Sequence, residues 1–397
     1  MKRECGQHTA KDNERAWACE AEYRGDNSFA SRFPGPSCPP SMARLRKLAG
    51  SDHSVLDLSS SEPHFEVAEP VKASAIMAIA SRDGDNGAAK RLGPRLKEMI
   101  SEMEVERAGI CQNNVALTSG VRSALFLGFM TLLNPDDEVL IPDPASPLFE
   151  QVCRITGGQP CPVDIYPDFR LTVDRLEEAA AGCENPRVLL FSNPCSVSGT
   201  VLTYQEMAEI AQWADDNDVF IVCDETYRNF VYENQWVSIA RCTEEALLLN
   251  GFGVCSGMSR WRLGYSVGPA EIIEDMTRLQ GVIGIGPSRV AQRAGLGAVQ
   301  MGSRQSSMQL MAYKDRRDRV YRGLRDKFQL RRPEGAFFAF VRVPQGDADG
   351  FAEKAVQRGL LVCPGSMFSS KKSHFRLSFA AEDQVVERGI QILRGMA

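Results

Sequence analysis

Residues 250–265 read NGFGVCSGMSRWRLGY, a glycine-rich and basic segment that follows the apolar run Ala246–Leu249. An apolar run of this length is typical of a buried strand, and glycines behind it allow a tight turn. Arg262 offers a planar guanidinium, which matches phosphate and carboxylate groups. The segment holds two arginines and no lysine. It therefore predicts an anion-binding turn that lacks an amine.

The composition is that of an ordinary globular protein. The 397 residues are 43% hydrophobic and 24% charged, and this length favours one large and one smaller domain. A net charge of −5 gives no reason to expect nucleic acid or an anionic membrane as a partner. The twelve cysteines form no CxxC pair and no finger spacing, so we expect reduced thiols and no metal site. No apolar stretch reaches membrane-spanning length, and a cytoplasmic location is expected.

Short apolar runs alternate with helix-period segments between about residues 90 and 300. The helical pattern at Tyr204–Asp216, for example, begins after Thr203, a residue that can cap it. The alternation predicts an α/β fold with a mostly parallel sheet sandwiched by helices. Because ligands gather at the carboxyl ends of such strands, we expect the loops that follow them to carry the chemistry. The predicted strands are Val115–Thr118, Glu138–Pro142, Arg187–Phe191, Val219–Cys223 and Ala246–Leu249.

The two ends of the chain differ from this middle part. Residues 1–50 are polar and rich in Ser, Pro and Arg, which predicts an N-terminal arm without a core of its own. We predict a large α/β domain at residues 91–310, and a smaller α+β domain with an interface segment formed by residues 51–90 and 311–397. The C-terminal part has helix patterns at Arg304–Lys327 and Phe351–Gln357 and strand patterns at Gly335–Val343, Leu360–Cys363 and Phe375–Phe379.

Four polar motifs follow predicted strands or lie within one. Taken singly, each has a structural explanation: Asn193-Pro194 as a turn, Asp224 as a helix cap, and Arg376 as a surface ion-pair partner. A strand followed by glycine and a helix is common, although it does present backbone amides to an anion. The motifs are Thr118-Ser119-Gly120-Val121-Arg122, Ser192-Asn193-Pro194 with Ser198-Gly199-Thr200, Asp224-Glu225-Thr226-Tyr227, and Phe375-Arg376-Leu377-Ser378-Phe379.

In this order and spacing, and together with residues 250–265, the motifs resemble those of fold-type-I aminotransferases of class I and II. These enzymes use pyridoxal phosphate, and the aspartate aminotransferase and ACC synthase-like branches are the nearest in pattern. The resemblance covers about residues 55–395 and implies a large α/β domain with a smaller α+β domain. It also implies a cofactor- or anion-binding set made of Gly120, Val121, Arg122, Asn193, Asp224, Tyr227, Arg260 and Arg262.

The resemblance further implies the substrate and the assembly. Arg376 matches the arginine that binds a substrate α-carboxylate through two parallel hydrogen bonds. Asn193 and Ser61 are expected beside that carboxylate. Within the cofactor set, Asp224 is expected opposite the pyridine nitrogen, and Tyr227 is expected opposite the 3′ oxygen. Active sites of the family lie at a two-fold interface, so a homodimer is expected.

The lysine of the family motif is the largest departure. Eight residues before Arg262, where the family has the lysine that holds the cofactor as a Schiff base, this chain has Val254. The serines expected just before it are Gly251 and Gly253. In the place of the aromatic residue that stacks on the cofactor ring stands Ser146. Several positions that face the cofactor have therefore changed together.

Other departures concern the rim of the site. No tyrosine occurs near Ala88, where a partner subunit of the family supplies one, and Ser61 replaces a glycine. Arg122 and Arg260 add positive charge, and Arg260 replaces a glycine of the motif. These two arginines either serve a more anionic group or point to solvent and pair with local acids.

No lysine occurs between Lys97 and Lys314, so the predicted sheet of the large domain lacks one. Lys90, in the segment that reaches the interface in the family, is the one suggestive substitute, and its simpler interpretation is a solvated surface lysine. Without a lysine, the covalent anchor and the usual general base are both missing. Ordinary ping-pong transamination is therefore not expected.

Three hypotheses follow. In the first, an enzyme acts on a small, amino-acid-like carboxylate without covalently held cofactor, with Asp224, Tyr227 or His64 as acid–base groups. In the second, pyridoxal or pyridoxamine phosphate binds non-covalently as a cosubstrate. In the third, the chain is a non-enzymatic ligand sensor or partner subunit. A buried Asp224 without a cation would be costly, which argues against simple loss of function.

Overall fold

The computed structural model describes residues 40–50, 55–80, 88–104, 109–233, 235–301 and 303–397. None of the helices in these ranges has the length and apolar character that crossing a membrane requires. The helices are α1 (Pro40–Ala49), α2 (Glu69–Ala80), α3 (Ala88–Met103), α4 (Val121–Leu132), α5 (Pro147–Ile155), α6 (Val173–Ala180), α7 (Tyr204–Asp216), α8 (Phe252–Cys255), α9 (Ala270–Ile283), α10 (Arg289–Met301), α11 (Ser303–Leu324), α12 (Ala348–Gln357) and α13 (Asp383–Arg394). The strands are β1 (Leu56–Asp57), β2 (Val115–Thr118), β3 (Glu138–Asp143), β4 (Gln159–Asp164), β5 (Pro186–Ser192), β6 (Phe220–Asp224), β7 (Ala246–Gly251), β8 (Gly264–Val267), β9 (Phe338–Arg342), β10 (Leu360–Leu361), β11 (Cys363–Pro364) and β12 (His374–Ser378).

A seven-stranded sheet forms the centre of the large unit, in the order β2-β8-β7-β6-β5-β3-β4. β8 runs antiparallel to its neighbours β2 and β7, and every other neighbouring pair is parallel. Apolar side chains on both faces of the sheet are covered by helices. The predicted α/β class with a mostly parallel sheet is confirmed, and each of the five predicted strands is present within two residues of its predicted bounds.

Local sequence accounts for the way α7 begins. Thr203 precedes the helix, and its hydroxyl accepts a hydrogen bond from the Glu206 amide at 3.2 Å. The Glu206 carboxylate accepts from the Thr203 amide in return at 2.8 Å. This reciprocal pair satisfies amides that the first turn of a helix leaves free.

Two strands of the large sheet were absent from the sequence expectation. β4 has the sequence QPCPVD, in which two prolines cannot donate hydrogen bonds to a neighbouring strand. As the last strand of the sheet it has one free edge, where proline is tolerated. β8 has only four residues and begins within the glycine-rich segment that suggested a turn.

The smaller unit holds a three-stranded antiparallel sheet, in the order β11-β12-β9, and the short parallel pair of β1 and β10. Helix α1 packs on this unit through the buried side chains of Met42 and Leu45, and Arg44 pairs with Glu353 of α12. Residues 40–49 therefore form a helix at the end of the predicted N-terminal arm. The rest of that arm, residues 1–39, lies outside the described residues.

Candidate active site

The carboxyl edge of the large sheet brings the predicted motifs together. β6 ends with Asp224, and β2 and β7 end with Thr118 and Gly251. Because β8 runs in the opposite direction, its first residue, Gly264, pairs with both of these residues at the same edge. Arg262 lies two positions before the first residue of β8. The antiparallel direction of β8 thus places Arg262 at the edge where the parallel strands end.

The turn at Gly120 is shaped to contact that arginine. Gly120 has φ 87°, a conformation that side chains disfavour, and it caps α4. A Cβ atom at this position would lie 3.2 Å from the Arg262 guanidinium carbon. A Cβ on Gly264 would lie 2.8 Å from the Gly120 carbonyl carbon. Glycine is required at both positions, and the guanidinium consequently lies against the start of α4.

Positive charge at this turn is not neutralised within the described part of the chain. Arg262 makes no ion pair there, and burial followed by the nearby charge of Arg122 lowers its pKa. The Val121 amide belongs to the first turn of α4, where amides and the helix dipole favour an anion. Two arginines and a helix start therefore form a place suited to a phosphate or carboxylate.

We expect inorganic phosphate to raise the melting temperature, because an anion should relieve the repulsion between Arg262 and Arg122. Ligand binding at about 100 times its Kd stabilises a fold by about 2.7 kcal/mol. Arg262→Glu should abolish the gain, whereas Arg260→Glu should keep it. Differential scanning fluorimetry in phosphate and in chloride at equal ionic strength measures the effect. An equal gain in both variants would contradict this assignment.

Asp224 is the last residue of β6, and Tyr227 follows it in the next turn. The Asp224 carboxylate accepts hydrogen bonds from the Thr226 amide, at 3.0 Å, and from the Thr226 hydroxyl. Burial raises the pKa of Asp224, and in the described residues no arginine or lysine pairs with it. Burial also raises the pKa of Tyr227. The charge of Arg376 lowers this pKa, and Asp224 raises it. Both groups are therefore favoured in their protonated forms.

A buried carboxyl group fixes the segment that carries these two residues. Glu225 is fully buried, and its Oε1 accepts from the Ser238 hydroxyl at 2.7 Å and the Ile239 amide at 3.2 Å. Its Oε2 has no hydrogen-bond partner in the described structure. Burial raises the pKa of Glu225 to about 8. The group therefore holds its proton at neutral pH.

This proton gives a pH-dependent contribution to stability. The folded-state pKa of about 8 exceeds the ordinary value of 4.5, so the folded protein holds a proton that the unfolded chain releases between those values. The stabilising contribution is full below pH 4.5 and is lost as pH rises to 8, at a slope on the order of 1 kcal/mol per pH unit. Glu225→Gln should flatten urea-unfolding stability between pH 5 and 8, whereas the exposed Glu274→Gln should not. The same change of unfolding free energy with pH in the wild type and both variants would contradict this prediction.

Arg228, the residue after Tyr227, forms a buried ion pair with Glu104. The carboxylate of Glu104, just after α3, accepts two bonds from Arg228, at 2.5 and 2.7 Å. The Tyr265 hydroxyl donates to the same carboxylate at 2.7 Å. The side chains of Glu104 and Arg228 are 4% and 13% exposed. This network joins α3 and β8 to the segment that carries Asp224 and Tyr227.

Arg376, in the middle of β12, crosses from the smaller unit towards this edge. Its side chain is 7% exposed, and no acid pairs with it among the residues described. Nη1 donates to the Ser196 carbonyl at 3.1 Å, and Nη2 donates to the Ser61 hydroxyl at 2.8 Å. The rings of Phe338 and Phe368 flank the guanidinium, with centroids 4.1 and 4.4 Å from Cζ. A buried, flanked arginine without an acid is suited to an anionic ligand.

The structure does not bring His64 to this site. Its Nε2 lies 2.8 Å from Arg316 and its Nδ1 lies 3.0 Å from the Tyr313 hydroxyl. Burial and the charge of Arg316 lower its pKa. No described contact joins it to Asp224 or Tyr227. The structure thus places His64 with Arg316 and Tyr313, and its acid–base role stays a prediction.

The structure places Asn193 in the interior of the loop after β5. The side chain is completely buried, its Oδ1 accepts from the Leu202 amide at 3.0 Å, and its Nδ2 donates to the Val237 carbonyl at 3.3 Å. Ser196, three residues later, contacts Arg376 through its carbonyl oxygen. The predicted binding role of Asn193 stays a prediction.

The remaining predicted positions lie at or beside the edge. Val254 is buried in α8, directly after β7. Arg260 pairs with Glu62 at 3.5 Å and is highly exposed, which places it on the surface and not in the anion turn. Ser146 immediately precedes α5 and lines a cavity of about 420 Å³ with Phe368.

No lysine whose side chain is described forms a hydrogen bond with Asp224 or Tyr227. Lys371 pairs with Asp164 and lies over the Tyr166 ring. Lys97 is half-buried in α3, where burial lowers its pKa. Lys90 lies in the first turn of α3, but its side chain is outside the described residues.

Comparisons with known proteins identify the family of this chain. The family model described as aminotransferase class I and II matches residues 53–393. A probable aspartate aminotransferase of Methanocaldococcus jannaschii is 26% identical over 367 residues, which cover 90% of this chain and 96% of that protein. The aspartate/prephenate aminotransferase of Thermus thermophilus is 29% identical over 359 residues, covering 88% and 92%. A solved structure of Thermus thermophilus aspartate aminotransferase with maleate superposes with a TM-score of 0.85 at 26% identity, covering 94% and 100%.

Proposed function

The chain belongs to the aminotransferase class I and II family, and from this premise we propose an enzyme that binds a small, amino-acid-like carboxylate and works without covalently held pyridoxal phosphate. The observation that carries the proposal is Arg376, a buried guanidinium that has no acidic partner in the described residues. An unpaired buried charge is costly. A substrate carboxylate would neutralise it through parallel hydrogen bonds.

The missing amine is the second part of the proposal. We propose that Val254 stands at the family's lysine position, because it lies eight residues before Arg262 and directly after β7. Valine has no group that can form an imine. No described lysine forms a hydrogen bond with Asp224 or Tyr227, which supports the absence of a substitute.

The residues fit the two ends of pyridoxal phosphate but not its attachment. Asp224 suits a ring nitrogen, and the turn at Gly120 with Arg262 suits a phosphate. Val254 offers no amine, and Ser146 offers no stacking face. When bound, this cofactor supplies an electron sink for amino-acid chemistry. We therefore keep a second candidate function, in which pyridoxal or pyridoxamine phosphate binds reversibly as a cosubstrate.

Asp224 and Tyr227 are the acid–base candidates that remain. The Tyr227 hydroxyl makes no hydrogen bond within the described residues, and Arg376 and Asp224 both lie close enough to influence its pKa. Burial raises the pKa of both groups, which favours their protonated forms. They could protonate an oxygen or carbanion of a substrate held by Arg376.

Borohydride reduction tests the missing covalent attachment. The purified protein, with and without added pyridoxal phosphate, is reduced, digested and mapped by mass spectrometry. We expect no lysine to carry a phosphopyridoxyl group stoichiometrically. A fully labelled Lys90 or any other fully labelled lysine would contradict the proposal.

Calorimetry with maleate, without added cofactor, tests the carboxylate site independently. Binding that depends on Arg376 supports the first candidate function. The second candidate function replaces the first if maleate binding requires pyridoxal phosphate and the protein with bound pyridoxal phosphate exchanges the Cα proton of an amino acid for deuterium. The absence of binding and exchange would favour a non-enzymatic relative.

We also propose that the protein is a homodimer, as is usual in the family. The apolar side chains of Ile76, Met77 and Ile79 on α2 are exposed in the single chain. An apolar surface of this kind is typical of subunit interfaces. Light scattering should give twice the chain mass of 43.8 kDa. A stable monomer would contradict this assembly.

A further inference from the structure

A cluster of two thiols and one carboxylate lies away from the carboxyl edge, at the outer strands of the large sheet. Glu138 is the first residue of β3, Cys161 lies in the edge strand β4, and Cys183 follows α6. Their donor atoms all lie within 4.8 Å of one another, and each residue is half-buried. We propose that these three side chains bind a divalent zinc ion.

The carboxylate of the cluster is already oriented. Its Oε2 accepts from the Asn185 amide at 2.6 Å, and its Oε1 lies 3.7 Å from the Cys161 sulfur. No arginine, lysine or histidine forms an ion pair with Glu138 in the described residues. The site therefore offers one negative charge and two thiols without a compensating cation.

Zinc binds cysteine as the thiolate, so Zn²⁺ with two thiols and one carboxylate gives a complex of charge −1 and releases the two thiol protons. No electrons are transferred, so no oxidant or reductant is needed.

The spacing of the donors suits zinc. Zn–S bonds of about 2.3 Å place two sulfurs of a tetrahedral site about 3.8 Å apart. The present spread requires only small side-chain movements to reach that geometry. Thiolates favour zinc over magnesium or calcium, which prefer oxygen ligands. Three protein ligands leave a fourth position, which water can fill.

The sequence did not predict this cluster, because 22 positions separate the two cysteines and neither belongs to a CxxC pair. The crossover from β4 through α6 brings them together. A bound ion would fasten the end of α6 to β3 and β4. β4 pairs with a neighbour on one side only, and two of its residues are prolines, which donate no backbone hydrogen bond.

Cobalt(II) titration of the reduced, metal-free protein tests the proposal. We expect one equivalent of cobalt to give a thiolate charge-transfer band that zinc then abolishes. Cys161→Ser and Cys183→Ser should each lose the band and weaken zinc binding at least about tenfold, measured against a chromophoric chelator. Cys242→Ser, a half-buried thiol outside the cluster, is the matched control and should behave as the wild type.

A further variant keeps the test decisive if a serine variant folds poorly. Glu138→Gln retains an oxygen that can accept from the Asn185 amide but removes the charge, so it should fold and still bind zinc more weakly. Zinc should raise the melting temperature of the wild type more than that of Glu138→Gln. An unchanged cobalt band in Cys161→Ser, or a Cys161–Cys183 disulfide in the protein as purified, would overturn the proposal.

Discussion

Replacing Arg376 with alanine is expected to weaken the binding of maleate, a small dicarboxylate, by about 30-fold to several thousand-fold. Truncating one member of a buried, hydrogen-bonded charge pair typically costs about 2–5 kcal/mol, and each 1.4 kcal/mol is about a tenfold change in Kd. The guanidinium has no other acidic partner among the described residues, so no internal group can take over its role. Isothermal titration calorimetry measures the change.

Two further variants separate charge from geometry. Arg376→Lys keeps the charge but loses the planar fork, so its affinity should fall between those of the wild type and the alanine variant. Arg342→Ala removes an exposed arginine from the neighbouring strand β9 and should leave maleate binding unchanged. If Arg376→Ala binds maleate as tightly as the wild type, the carboxylate site lies elsewhere.

Glu104→Ala is expected to lower the free energy of unfolding by about 3–5 kcal/mol. After the substitution the buried Arg228 guanidinium keeps a hydrogen bond to the Tyr265 hydroxyl at 3.2 Å and a cation–π contact with the Trp236 ring. Removing one partner of a buried ion pair has a cost of this size because the other charge is left uncompensated. Urea denaturation followed by circular dichroism measures it.

An exposed pair provides the control for this effect. Arg187 and Asp218 form an ion pair at 2.9 Å, with side chains 42% and 94% exposed. Asp218→Ala should cost less than about 1 kcal/mol, because solvent screens exposed charges. Comparable losses in both variants would show that the burial of Glu104 does not set the energy of its pair.

Hydrophobic pattern predicted the interior of the sheet but not its reversed and outer strands. Val219–Cys223 and Ala246–Leu249 are continuous apolar runs because both faces of these strands are covered. β4 carries two prolines and polar residues, so its pairing depends on position in the sheet and not on local pattern. The direction of β8 is likewise set by pairing across the sheet, which no local spacing encodes.

The site was predictable where backbone position decides and not where side-chain partners decide. Asp224 ends a strand and Arg262 precedes one, so their placement follows from the sheet. The loop after β5 was identified, but hydrogen bonds to residues far along the chain determine that Asn193 faces the core and Ser196 faces Arg376. The His64 ring is hydrogen-bonded to Arg316, a residue 252 positions away. Such partnerships depend on tertiary packing.

The phenyl rings beside Arg376 also restrict the shape of the ion it can bind. Phe338 and Phe368 flank the guanidinium, so a ligand must approach along the guanidinium's edge, within its plane. A carboxylate is flat and can lie in that plane, whereas a sulfonate is tetrahedral and directs an oxygen towards a ring. Acetate should therefore compete with maleate more effectively than methanesulfonate of equal charge, which makes this arginine a discriminator between flat and tetrahedral anions.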